Sequence, residues 1–369
     1  MLLVISVYIG YGQSQIEQYR EPFADSYPVR KEQHLEVKAY IDKLLDEKIE
    51  ASLKKFQPDY FSIANYEASL YPYRRQLGAY YGVPPLQAIR GKMRKFQKVG
   101  EDKYSNLYRV WVEVAEGAQT YGIYMVPKSL AKKAPLIIAI HGGGGNPEAI
   151  VGLDTRKPYH NFGHEAVKKG YIVWAPGLTM LSAFSGDDTI PGISRSILDR
   201  QLKLLGGSII GLEIHKIIES AQTLIRERQE IDGQRVGMTG LSWGGYFTMY
   251  TTALAPFIKA AAISGNFRDT KVVLENTKNV NTLSSLGFED PFESFGYFQA
   301  IGMICPRPCF VQLGEKDELF TVEGAKVEAR RSAEFYRKLG IQNRFQFETH
   351  SGGHEFEIGS ILNFFEKHL

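Results

Sequence analysis

The stretch GMTGLSWGGYFTMY, residues 237 to 250, restricts what this chain can fold into more than any other. It sets Gly240, Gly244 and Gly245 around one serine, Ser242, between an apolar run and an aromatic-rich one. Ordered glycine costs chain entropy, so such density implies a turn too sharp for other residues or a very close backbone approach. RVGMTG before the serine reads as a strand, and GGYFTMYTTAL after it as a helix. Gly240-Leu241-Ser242-Trp243-Gly244 therefore fits G-x-S-x-G at a strand-to-helix turn. Such a turn aims the hydroxyl away from the sheet. It also sets the N–H of Trp243 at a helix N-terminus, where it favours a negative oxygen. A glycine-rich turn with a capping serine has the same local composition, so the rest of the chain must decide.

From about residue 105, short apolar runs alternate with longer amphipathic ones. PLIIAI, YIVWAP, RVGMTG, IKAAAIS, PCFVQLG and RFQFETH read as strands. HNFGHEAVKKG, SIIGLEIHKIIESAQTLIRERQ and the run from about Glu355 read as helices. The second of these carries Ile210, Ile214, Ile217, Ala221 and Leu224 on one stripe. Uniformly apolar strands between helices predict an α/β fold with a mostly parallel, doubly wound sheet. LYRVWVEVA and TYGIYMVP, joined by the short EGAQ, predict an antiparallel hairpin leading into it. Residues 29–104 read as a helical N-terminal extension, with Val37, Ile41, Leu45, Ile49, Leu53 and Phe56 at helical spacing. Insertions near 177–205 and 266–304 follow strands on the side where open α/β sheets bind ligands.

The 369 residues, 44% hydrophobic and 23% charged, suit one large soluble domain with an extension. A net charge of +3 is too small to argue for nucleic acid or an anionic membrane surface. No segment approaches the roughly 18 apolar residues of a membrane span. MLLVISVYIGYGQSQ resembles the apolar core and cleavage end of a signal peptide, so residues 1–28 are read as its remnant and a tail, and export is the expectation, with the cytoplasm as the alternative. Cys305 and Cys309, the only cysteines, lack the second pair of a zinc site and are expected to be buried thiols.

A serine hydroxyl needs a base, and the base needs an orienting acid. Of eight histidines, His34, His160, His164 and His215 fall near or within helices, His368 is terminal, and His141 opens a glycine run. His350 and His354 remain, in ETHSGGHEFE. His354 follows Gly352-Gly353 between the last strand and the last helix, where a loop can present imidazole over the sheet; His350 reads as a strand end. The intervening glycines spoil a helical metal pair, and no H-E-x-x-H is present. For the acid, FVQLGEKDELF ends a strand with Asp317 as the first choice and Glu315 as the second. Ser, Asp and His then occur in that order, each behind a different strand. IIAIHGGGGNPE adds a fourth piece. Backbone N–H groups of Gly143 and Gly144 can approach a developing oxyanion because no side chain interferes. The same run is neither G-x-G-x-x-G nor a P-loop, so neither cofactor nor metal is expected.

These residues carry a resemblance. From about residue 105 to the end the chain resembles an α/β-hydrolase, and DGQRVGMTGLSWGGY, GEKDELF and SGGHEF are similar to the dienelactone hydrolase, acetyl xylan esterase and prolyl oligopeptidase-like branch. YPYRRQLGAYYGVP is similar to the N-terminal extension of acetyl xylan esterases in that branch. The resemblance implies Ser242 as nucleophile, Asp317 as acid, His354 as base, and an oxyanion hole of the N–H of Trp243 and the glycine loop. It departs from the acetyl xylan and cephalosporin deacetylases in lacking their arginine-glycine-glutamine motif and in placing Trp243 where they have glutamine. The expected activity is serine-dependent hydrolysis of short acyl or aryl esters, including carbohydrate-linked ones. A peptidase of the same mechanism is the alternative; it would need acids for a substrate amine, for which Asp187 and Asp188 are the candidates.

Overall fold

The computed structural model describes residues 18–130, 132–154, 157–178, 195–272 and 295–369. The chain forms two compact units, Met1–Glu47 and Lys48–Leu369. Helix α1 (Tyr27–Lys55) begins in the first and runs into the second. Along the expected apolar stripe, Leu45 is half-buried. Val37 and Ile41 are exposed, Leu53 is half-buried, and Phe56 just past the helix is buried.

The second unit is built on one nine-stranded sheet, in the order β1-β2-β3-β5-β4-β6-β7-β8-β9. Three strands, β1 (Ala88–Glu101), β2 (Ser105–Ala115) and β3 (Ala118–Pro127), run antiparallel, and β3 also pairs antiparallel with β5 (Ile172–Pro176). From β5 onward every pairing is parallel, through β4 (Ala134–Ile140), β6 (Ile231–Leu241), β7 (Ala260–Ser264), β8 (Cys309–Gly314) and β9 (Phe345–His350).

Strand β1 corrects the expectation of helix up to the hairpin. Its half-buried apolar residues, Met93, Phe96 and Val99, recur every third position. Register shifts between Met93 and Lys95 and between Lys98 and Gly100 produce that spacing. Each extra residue turns the next side chain over, so an edge strand with bulges loses the period-two signature of a regular one.

The central strands are buried on both faces, and their alternate residues enter two separate cores. Leu136, Ile138, Ile140, Ala261, Ile263, Val311 and Leu313 face one; Ile137, Ala139, Ala260, Ala262 and Phe310 face the other. Over the first lie α2 (Ile63–Ser69), α3 (Tyr71–Tyr81), α7 (Ile209–Glu227), α8 (Trp243–Leu254) and α9 (Tyr297–Ile304). Over the second lie α4 (Pro147–Val151), α5 (Phe162–Lys168) and α11 (Ile358–His368). Helix α6 is Arg195–Leu204 and α10 is Val322–Lys338. Ser208 caps α7 by accepting from the Gly211 N–H, and all five residues of the predicted stripe are buried.

Helices α2 and α3 are tied to the unit that holds the sheet. The Tyr66 hydroxyl donates to the Gly302 carbonyl at 2.8 Å, and Arg74 donates to the carbonyls of Ala253 and Met303 at 2.9 Å each. Cys305 and Cys309 are buried free thiols, and burial pushes Cys305 up to about 12.

Beneath the sheet, Arg307 donates to five carbonyls, those of Thr252, Ala255, Ile258, Met303 and Ile304, at 2.7–3.3 Å. They belong to the end of α8, the turn into β7 and the end of α9. Burial pulls this guanidinium down to about 10, so it stays cationic at neutral pH. Replacing it by methionine strands those carbonyls. Arg307→Met is expected to cost about 3 kcal/mol, read as a lower denaturant midpoint; an unchanged midpoint would contradict this account.

Candidate active site

Ser242 sits between β6 and α8 with φ 60° and ψ −120°, a backbone region that non-glycine residues occupy at a cost of roughly 1–3 kcal/mol. The surroundings hold it there. Its N–H donates to the Ser264 carbonyl at 2.9 Å, and its carbonyl accepts from the Tyr246 N–H at 3.0 Å. Each flanking glycine lies against backbone. An added Cβ would come within 2.2 Å of the Gly244 carbonyl oxygen at Gly240, 2.2 Å of the Ile140 oxygen at Gly244, and 2.6 Å of the Ser264 oxygen at Gly245. The three glycines thus let α8 start directly against the ends of β4, β6 and β7.

His354 lies between β9 and α11, and Asp317 in the turn after β8. The two loops are laced together. The N–H of Glu315 donates to the His350 carbonyl at 2.8 Å, and that of Lys316 to the Gly352 carbonyl at 3.0 Å. Gly314 permits the approach, since a Cβ there would stand 2.0 Å from the Gly353 oxygen. The result is a 2.7 Å hydrogen bond between Asp317 Oδ2 and His354 Nδ1. The carboxylate is fully buried, while the imidazole is partly exposed. Asp317 Oδ1 accepts from the N–H groups of Leu319 and Phe320 at 2.8 and 3.1 Å. Burial alone would push this carboxyl up. The His354 bond and the two amides outweigh it and hold the group below the ordinary aspartate value.

The alternatives weighed from sequence stand elsewhere. Glu315 accepts from the Thr349 hydroxyl at 3.1 Å, and His350 ends β9. Asp187 and Asp188, and much of both insertions, lie outside the described residues. Among the described residues, no three His, Cys, Asp or Glu side chains gather as they would around a metal ion, and no helix is long and apolar enough to cross a membrane.

The glycine loop follows β4. His141 is fully buried, and its Nε2 accepts from the Leu178 N–H at 2.9 Å. Its Nδ1 must then carry the proton, which it donates to the Gly142 carbonyl at 2.8 Å. The Gly142 N–H is used by the Tyr159 hydroxyl, also at 2.8 Å. Among the described residues nothing accepts from the Gly143 N–H. Gly144 turns at φ 69°. The Trp243 ring packs against this loop, since a Cβ at Gly143 would lie 3.2 Å from its Cδ1. The same ring meets Tyr246 edge-on at 5.3 Å, and the Tyr246 hydroxyl hydrogen-bonds that of Tyr81 on α3 at 2.6 Å. Sequence reasoning missed Tyr159, Tyr81 and Phe320. Phe320 and Tyr81 lie in GEKDELF and YPYRRQLGAYYGVP, but nothing in those stretches marks either ring, and only the fold brings all three to the site.

No family model matches the chain. It is 24% identical over 269 residues to "Putative hydrolase YtaP" of Bacillus subtilis (strain 168), covering 71% of this chain and 86% of that protein. Among solved structures, a protein described as a putative acetyl xylan esterase, from Bacteroides fragilis NCTC 9343, superposes with a TM-score of 0.66 at 17% identity, covering 84% of this chain and 81% of that one. Methylesterase BT1017 gives 0.61 at 15% identity over 88% of this chain and 68% of that one. A CE15 glucuronoyl esterase from Teredinibacter turnerae T7901 gives 0.59 at 15% over 86% and 90%. With these likenesses, a parallel sheet entered through antiparallel strands and an elbow between its sixth strand and the following helix, the chain has the α/β-hydrolase fold.

Proposed function

We propose that this protein is a serine ester hydrolase that works through Ser242, His354 and Asp317. The observation that carries the reading is the 2.7 Å bond of a buried carboxylate to His354; the serine is held in a strained turn at the head of α8, and a Cβ at Gly265 would stand 2.9 Å from Leu241, just before that serine, and 3.0 Å from the His354 ring. Ser242 Oγ attacks the ester carbonyl as His354 Nε2 takes its proton. Asp317 keeps Nδ1 protonated and stabilises the imidazolium. The carbonyl oxygen becomes an oxyanion against the N–H of Trp243 and that of Gly143, with Gly144 shaping the loop. The carbon–oxygen bond to the alcohol then breaks, and the alcohol leaves with the proton from His354. A water molecule, deprotonated by the same imidazole, attacks the acyl-serine carbonyl. The acid departs and the proton returns to Ser242. Short acyl or aryl esters are the proposed substrates. The structures described as a putative acetyl xylan esterase and a CE15 glucuronoyl esterase, which share the fold, favour carbohydrate-linked ones.

Wild-type protein is expected to hydrolyse p-nitrophenyl acetate and to react with a fluorophosphonate, and Ser242→Ala to do neither. Equal rates in the two would remove the reading. Asp317→Asn should lower kcat roughly ten-thousand-fold.

The depressed Asp317 carboxyl also couples stability to pH. A carboxylate whose folded value is lowered contributes fully above its unfolded value, near ~3.9, and loses that contribution as pH falls through the lower folded one. Denaturant midpoints recorded between about pH 2 and pH 5 should therefore fall more steeply with acid in the wild type than in Asp317→Asn. Parallel curves would count against the pairing.

A further inference from the structure

Arg268 stands on the loop after β7, three residues beyond Gly265. Gly265 turns at φ 58°, and a Cβ there would meet the His354 ring, 3.0 Å from Cε1. This loop is therefore one wall of the candidate site. The Arg268 guanidinium carbon lies 4.1 Å from the centroid of the Phe320 ring. Phe320 in turn stacks on His354, with centroids 5.7 Å apart and planes 9° apart. A cation is thus built onto the aromatic platform that supports the imidazole.

Among the described residues that cation has no counter-charge. Asp269, its neighbour in the chain, is bound to Arg331 at 2.6 Å, and Glu328 accepts from the same arginine at 3.1 Å. Among the described residues nothing accepts a hydrogen bond from Arg268, and its Nε is buried without a partner. Other partly buried arginines of this unit spend their donors. Arg74 and Arg307 bond to carbonyls, and Arg228 pairs with Glu230. The contact with Phe320 offers a ring and no lone pair, so it leaves those donors unspent. A buried donor without an acceptor destabilises the fold unless a ligand supplies one. Arg268 is only partly buried, so part of the side chain stays reachable. A planar guanidinium beside a reacting ester matches a carboxylate through two parallel hydrogen bonds.

We infer that Arg268 recognises a carboxylate on the substrate, so that the preferred esters carry a free acid group besides the ester that is cleaved: a half-ester of a dicarboxylic acid, or an ester within an acidic saccharide. The inference rests on the serine ester hydrolase reading above and names its substrate class.

Two matched pairs of esters test it. p-Nitrophenyl hemisuccinate against p-nitrophenyl butyrate places the charge on the acyl side, and 4-acetoxybenzoate against phenyl acetate places it on the alcohol side. The readout is the ratio of kcat/KM for the charged member to that for the neutral one. In at least one pair that ratio should fall about tenfold in Arg268→Gln and less in Arg268→Lys. Lys326→Gln, which removes an exposed charge paired with Glu323, should leave it unchanged. Raising salt from about 50 to about 500 mM should lower the ratio in the wild type. If Arg268→Gln proves unfolded, shown by loss of fluorophosphonate labelling, this salt dependence decides, and a ratio unmoved by salt overturns the inference. Equal changes in both members of each pair, or none, also overturn it while leaving the hydrolase reading intact. Failure of the wild type to cleave any of the four esters would remove both.

Discussion

The site depends on backbone meeting backbone at the head of α8. No side chain can stand between Gly244 and the Ile140 carbonyl, between Gly245 and the Ser264 carbonyl, or between Gly240 and Gly244. These contacts fix the start of the helix against three strands at once, and they hold Ser242 in a conformation its own side chain disfavours. The strain is local, and the restoring contacts are spread over β4, β6 and β7. The geometry of the serine is therefore a property of the sheet as a whole.

A second close approach does the same for the acid and the imidazole. Gly314 lets the turn after β8 lie against the loop after β9, and two backbone hydrogen bonds close the seam. Asp317 then meets His354 without either loop belonging to a regular element. Glycine so decides the positions of both halves of the site, which is why strings of small residues carried more information than the charged residues around them.

That explains what could be read from sequence and what could not. The parallel strands, the stripe of α7 and the elbow are local patterns, each set by side-chain period or by glycine, and the chain states them directly. The pairing of Asp317 with His354 was legible because their order behind successive strands follows from the fold. The strand β1 was not, since its bulges move Met93, Phe96 and Val99 out of alternation. Tyr159, Phe320 and Arg268 were not either. Tyr159 reaches the site through Gly142, Phe320 through His354 and Arg268 through Phe320, in contacts that exist only once distant segments are packed. No spacing in the chain encodes such contacts.

The line of rings from Tyr81 through Tyr246 and Trp243 to the face of Gly143 has a consequence for how this protein can be divided. Its first member belongs to α3, ahead of the first strand of the sheet, and its last packs on the glycine loop after β4. The two ends are in mechanical series. A shorter chain beginning at the hairpin would keep every group assigned to the chemistry and still lose the prop behind one of them. The structural unit behind this site is therefore longer than the strands and the elbow alone, and grafting its loops onto a bare sheet would transfer the residues without their support.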